Sequence, residues 1–170
     1  MAYGEANEWD PSVMHDGSVI WTRWDYINRH DTLFQSLWTT RPDGTSPEHF
    51  YGNYTRNPCS IAEARAIPGS RKVVATATAH HSYTAGSIIV IDPYRGQDGQ
   101  EPITRITPET VFPETEGWAD SAYATPWPIN EDLFLVAYSA APHTSQGKNR
   151  AANDYAIYLV DTLGGRELIY

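Results

Sequence analysis

Three observations predict an all-β fold of β-propeller blades, about three four-stranded antiparallel units that would form half of a six-bladed propeller. A strand-and-turn unit recurs three times at roughly 45 to 60 residues, the length of one blade. Helical periodicity is nearly absent, because only Ile61-Ala-Glu-Ala-Arg-Ala66 has helix-forming composition and Pro68-Gly69 ends it too soon for a useful helix. Six Trp and eleven Tyr against four Phe and two Met favour half-buried surfaces, where an aromatic body packs and a polar tip stays wet.

The first unit, about residues 9–52, opens with a strand at Trp9–Val13 and turns at His15-Asp-Gly17. A second strand follows at Val19–Arg23, then the loop Trp24–Leu33 and a third strand at Gln35–Thr40. Pro42-Asp-Gly-Thr45 reads as a tight turn before a short strand at His49–Tyr51. In the second unit, about 59–107, strands are expected at Ile61–Ile67, Lys72–Ala79, Ser87–Asp92 and Ile103–Ile106, with turns at Pro68–Arg71 and Gly96–Gly99. The third, about 120–170, has strands at Ala122–Thr125, Leu133–Tyr138, Tyr155–Asp161 and Glu167–Tyr170.

Three blades do not close a propeller, which takes four to eight. The remaining partners are therefore expected to be further blades of a longer chain or a second copy of this one. Self-assembly through exposed edge strands is the third reading. The net charge of −9, without a run of basic residues, argues against nucleic acid as a partner. No apolar stretch is long enough for a membrane helix, and the first residues are polar rather than a signal peptide. The single Cys59 allows no internal disulfide and no Cys-x-x-Cys-His haem attachment, and is read as a small buried hydrophobe.

Antiparallel alternation puts every second connection at one end of the units. Trp24–Asp31, His80–Gly86 and Ser139–Arg150 are therefore expected on one face, joined by the inter-unit segments Gly52–Pro58 and Thr107–Asp120. The shorter Asp-Gly-type turns at the other end are expected to be structural. His30, His80, His81 and His143 fall on the long-loop face and are candidate metal ligands, since loops from different units can converge where one strand cannot. On an extended strand the neighbours His80 and His81 would point to opposite sides and would not share a metal.

Trp24, Asp25 and Asp31 are candidate binding residues of the same face. Asp25 and Asp31 flank Arg29 and suit either acid/base chemistry or a network that braces the loop. Trp24, Trp118, Tyr123 and Trp127 suit a stacking platform or packing between units. Phosphate-binding glycine loops, the nucleophile elbow and the zinc-protease helix motif are all missing.

Several strings carry a family resemblance. They are Asp16-Gly-x-x-Ile-Trp-Thr-Arg-Trp-Asp-Tyr26, Leu37-Trp-Thr-Thr-x-Pro-Asp-Gly-Thr45, Ile67-Pro-Gly-Ser-Arg71, Ala79-His-His-Ser82, Gly86-Ser-Ile-Ile-Val-Ile-Asp92 and Thr125-Pro-Trp-Pro128. Together they resemble the propeller region of hydrazine synthase alpha-subunit-like proteins, with TolB-like blades. The resemblance implies an extracytoplasmic location, periplasmic or secreted, and a larger, cytochrome-associated parent. It also implies a haem c or a metal ion in that parent. His80, His81 and Tyr83 are then the catalytic candidates, Tyr83 as the haem axial ligand and a histidine as proton donor or acceptor. The chain itself would act as a binding or assembly scaffold, with oxidoreductase chemistry only in a haem-bearing parent.

Overall fold

The computed structural model describes residues 7–25, 30, 33–145 and 154–170. Among these the chain forms twelve strands and no helix. They run as three successive four-stranded antiparallel meanders. The first comprises β1 (Asn7–Val13), β2 (Val19–Trp24), β3 (Gln35–Thr40) and β4 (Glu48–Tyr51). The second comprises β5 (Ser60–Ala66), β6 (Val73–Thr78), β7 (Ser87–Ile91) and β8 (Ile103–Arg105). The third comprises β9 (Ala122–Pro128), β10 (Leu133–Ser139), β11 (Ala156–Asp161) and β12 (Arg166–Leu168).

The helix-forming segment at Ile61–Ala66 is a strand. Its residues Ile61 and Ala64 are buried in a core shared with the first meander, and that burial outweighs local propensity. Each fully buried aliphatic side chain there contributes about 1.5–3 kcal/mol.

Each meander joins the next where the head of its third strand meets the head of the following first strand, through a parallel pairing at the first junction and an antiparallel bridge at the second. Gln35 N–H donates to Cys59 O at 3.1 Å, so the head of β3 meets the head of β5. At the second junction Gly86 and Tyr123 exchange two backbone hydrogen bonds of 2.8 Å. Position 86 requires glycine, because a Cβ there would lie 2.0 Å from the Ala77 carbonyl oxygen.

The core has two main parts, one at each junction. Ile20, Leu37 and Tyr51 pack with Ile61, Val73, Ala75, Ile89 and Ile91 between the first and second meanders. Between the second and third, Val74, Ile88 and Val90 pack with Tyr123, Phe134, Val136 and Val160.

The first strand of every meander carries a bulge at the same register. Two residues of the first strand oppose one of the second: Asp10-Pro11 between the pairs Trp9↔Thr22 and Ser12↔Ile20, and Glu63-Ala64 between Ala62↔Thr76 and Arg65↔Val74. Thr125-Pro126 repeats this between Ala124↔Ala137 and Trp127↔Leu135. The leading residue is left-handed each time, with φ of 53° at Asp10, 58° at Glu63 and 52° at Thr125. Such backbone is costly for non-glycine residues, and three repetitions mark a shared device rather than local accident.

The segregation of long and short connections is not as the sequence predicts. The link between Ile91 and Ile103, expected as a structural turn at the opposite end, folds against the inter-unit segment after β4. Gly52 N–H donates to Gln97 O at 2.9 Å, Tyr54 N–H to Asp98 Oδ1 at 2.6 Å, and Tyr51 Oη to Gly99 O at 2.5 Å. The physical reason is length: this link far exceeds a two-residue turn, so its free backbone groups find partners on the neighbouring meander.

Candidate functional site

The loop after β6 is the centre of the face. β6 ends at Thr78 and the chain turns at His80-His81, so strand alternation no longer governs the two side chains. Their rings lie edge to face with centroids 4.5 Å apart instead of pointing apart, which corrects the extended-strand expectation. The cause is Glu114, which sequence reasoning missed. Its Oε2 accepts the backbone N–H groups of His80 (2.8 Å) and His81 (3.1 Å), and its Oε1 accepts from His81 Nδ1. Burial opposes ionisation of Glu114, but the hydrogen bonds and charge of His81 outweigh it and hold the carboxyl below its usual range.

His80 is fixed from two further sides. Gln35 Nε2 donates to its Nδ1 at 2.5 Å, and Trp24 lies edge-on at 4.7 Å between centroids. Gln35 Oε1 in turn accepts from the buried Ser60 hydroxyl. Thus β3, β5 and the β6–β7 loop share one polar knot. Cys59 is buried beside it, as expected, and burial pushes its thiol up to about 11.

A second cluster adjoins the first. His143 is fully buried, with Nε2 3.1 Å from Ser82 Oγ and 3.4 Å from the Tyr83 carbonyl oxygen. Ser82 commits its own proton to Thr144 O at 2.6 Å, so it accepts from His143 rather than standing as a nucleophile. Burial lowers the pKa of His143 and favours the neutral ring, against the pull of the Tyr83 carbonyl. Tyr83 and Trp118 flank it at 4.8 and 5.5 Å between centroids and remain 40% and 38% exposed. The outcome is a shallow aromatic surface over a buried histidine.

The remaining candidates distribute as follows. His30 lies against Phe34 at 6.5 Å and accepts the Leu33 N–H, so it braces its own loop. Asp25 accepts from Arg23 Nε at 2.7 Å, within the first meander. Arg29 and Asp31 lie outside the described residues. Trp127 stacks with the Arg65 guanidinium at 4.8 Å, and Tyr123 is buried between meanders, its hydroxyl 2.5 Å from Glu109 Oε1 and 2.7 Å from Arg166. The four aromatics therefore form no single platform.

Among the described residues, no three His, Cys, Asp or Glu side chains are placed to hold a metal ion. The residues do not fit a covalently attached haem c, because the chain's single cysteine is buried and cannot form a thioether pair. No described helix is long and apolar enough to cross a membrane.

The three bulges form a second polar series. Glu63 Oε2 accepts the Thr125 N–H at 2.6 Å and Oε1 the Thr125 hydroxyl at 3.2 Å. One meander earlier, burial raises the Asp10 pKa while the Arg65 charge and the Glu63 N–H pull it back. The bulge acids of the first and second meanders thus each take the bulge amide of the meander that follows. Beside this series lies an opening of about 300 Å³, lined by Ser12, His15, Arg65, Pro68, Trp127 and Pro128 among others. Only the Asp-Pro and Thr-Pro dipeptides hinted at these bulges.

No family model matches the chain, and no curated protein shows significant similarity to it.

Proposed function

We propose that the chain is a run of three β-propeller blades from a hydrazine synthase alpha-like protein, acting as a binding and assembly scaffold. The observation that carries this reading is the bulge series. Three first strands with one irregularity at one register surround a common opening, as inner strands of neighbouring blades would. The long-loop face is the binding surface, with His81, Tyr83 and Trp118 presented above the buried His143. Among the described residues its hydrogen bonds brace loops and leave no activated nucleophile, which favours recognition over catalysis by this chain.

The partner on that face is, by the family resemblance, a cytochrome domain in an extracytoplasmic assembly. Titration of isotope-labelled chain with a soluble c-type cytochrome tests this by NMR. Shifts confined to residues 80–83, 114–118 and 143 support the reading, and a spectrum unchanged at saturation counts against it. The contact of exposed Tyr83 with His143 favours a second reading, in which Tyr83 supplies an axial ligand to a non-covalent haem or metal of a redox parent.

A further inference from the structure

The repeat lets the two junctions between meanders be compared position by position. The bulges set the register, so that Ala62 corresponds to Ala124 and Val74 to Leu135. Carried across the strands, Ile61, Ala77, Ile89 and Ile103 of the second meander match Tyr123, Tyr138, Tyr158 and Arg166 of the third. In the second meander these positions seal the first junction: Ile61, Ala77 and Ile89 are buried in its core and Ile103 packs against it. At the second junction the same positions carry three tyrosines and an arginine, and a cleft of about 490 Å³ opens beside them. Its walls come from two parts of the chain, Ile106 and Glu109 on one side and Val160, Asp161, Gly165 and Arg166 on the other.

The polar groups of this cleft are only partly committed. Arg166 lies over the Tyr138 ring at 4.0 Å and gives one N–H to Tyr123 Oη at 2.7 Å. Glu109 Oε1 stands 4.0 Å from the guanidinium, outside hydrogen-bond range, so most of the Arg166 donors have no partner among the described residues. The same Oε1 accepts from the Tyr123 hydroxyl at 2.5 Å, which leaves Oε2 open. Asp161 Oδ1 accepts the Leu163 and Gly165 N–H groups, while its Oδ2 lies so near Gly165 that a Cβ there would stand 2.3 Å away. A guanidinium and two carboxylates thus border a floor of buried Ile106 and Val160. An arginine at a position that is aliphatic in the other junction gives up apolar burial and adds desolvation, a cost that an anionic ligand group would offset.

We propose that this cleft binds a free α-amino acid with an apolar side chain. Its carboxylate would take the Arg166 fork, its ammonium Glu109 Oε2, and its side chain would rest on Ile106 and Val160. A bare anion would meet Glu109 and Asp161 and a bare cation would meet Arg166, whereas a zwitterion satisfies both signs. The 4.0 Å between Arg166 and Glu109 calls for opposite charges on adjacent groups of one small molecule, as in an α-amino acid, rather than at the two ends of a peptide. The volume falls within the range of small-molecule sites, about 300–1,000 Å³. None of these residues belongs to the surface of His81, Tyr83 and Trp118, so this site is independent of the scaffold reading.

Isothermal titration of the full chain with leucine tests this, together with amide chemical shifts of the isotope-labelled chain. Saturable binding is expected, with shifts centred on Thr107, Glu109 and residues 164–166. Leucinamide, which lacks the carboxylate, and N-acetylleucine, which lacks the ammonium, should each bind at least about tenfold more weakly, the loss of one charge-assisted hydrogen bond or more. Arg166→Gln should weaken leucine binding by a similar factor, with an unchanged far-UV circular dichroism spectrum. Leucine that fails to saturate the chain at millimolar concentration overturns the proposal. So do equal affinities for the three compounds, or shifts confined to residues 80–83 and 143. The comparison of the three compounds uses the wild-type chain alone, so it decides the matter even where Arg166→Gln does not fold.

Discussion

Glu63 of the second meander grips Thr125 of the third by both backbone and side chain, taking the Thr125 N–H at 2.6 Å and its hydroxyl at 3.2 Å. The same carboxylate accepts from Thr76 Oγ1 at 2.7 Å, so one side chain ties its own bulge to the next.

Glu63→Ala should therefore lower stability by about 1–3 kcal/mol, the cost of losing charge-assisted bonds and leaving the Thr125 amide unpaired. Glu63→Gln should recover part of it. Urea unfolding of the three proteins measures the difference. Equal midpoints would show that the bulges are not coupled.

Gly86→Ala should cost more than about 2 kcal/mol, since the added methyl meets the Ala77 carbonyl rather than a flexible side chain. The loss should appear as faster amide exchange at Tyr123, whose N–H donates to Gly86 O. Wild-type exchange there would contradict the junction geometry.

Much of this was legible in the sequence and some was not. Period-two alternation and turn dipeptides place the strands to within a residue or two, even at Ile61–Ala66, where composition suggests helix; the exception is β9, which continues past Thr125 to Pro128. The bulges share no residue pattern: Asp-Pro, Glu-Ala and Thr-Pro do the same job because backbone geometry, not side-chain type, defines them. Glu114 was invisible because it lies 33 residues from the histidine whose ring it holds. The expectation for His80 and His81 failed because alternation was carried past the end of β6 at Thr78. No local signal shows that the link between Ile91 and Ile103 packs on the preceding meander.

Acid should destabilise the fold in two steps. The His143 pKa is lowered in the folded state, so below 6.5 the unfolded chain binds the extra proton and stability falls as pH drops. Glu116 is held down to about 2, first by its hydrogen bond from Arg105, so its contribution is present above 4.5 and lost as pH falls toward 2. His143→Gln should abolish only the upper step. Thermal midpoints measured across the range check this, and an upper step that persists in the variant would refute the assignment.

Hemin gives a direct test of the redox alternative. The scaffold reading expects no Soret change when hemin is added to the chain. A Soret band that appears with wild type and vanishes in Tyr83→Phe would instead favour Tyr83 as an axial ligand.

The central claim is that three first strands stand side by side around one opening, and nuclear Overhauser contacts in the 19.0 kDa chain test it most directly. The account predicts cross-peaks from the Trp127 indole to the Arg65 side chain and from Ser12 to Ala64, matching the stack at 4.8 Å and the Ser12 hydroxyl bond to Ala64 O at 2.6 Å. Intact strand pairing within each meander, with neither of those contacts, would contradict it.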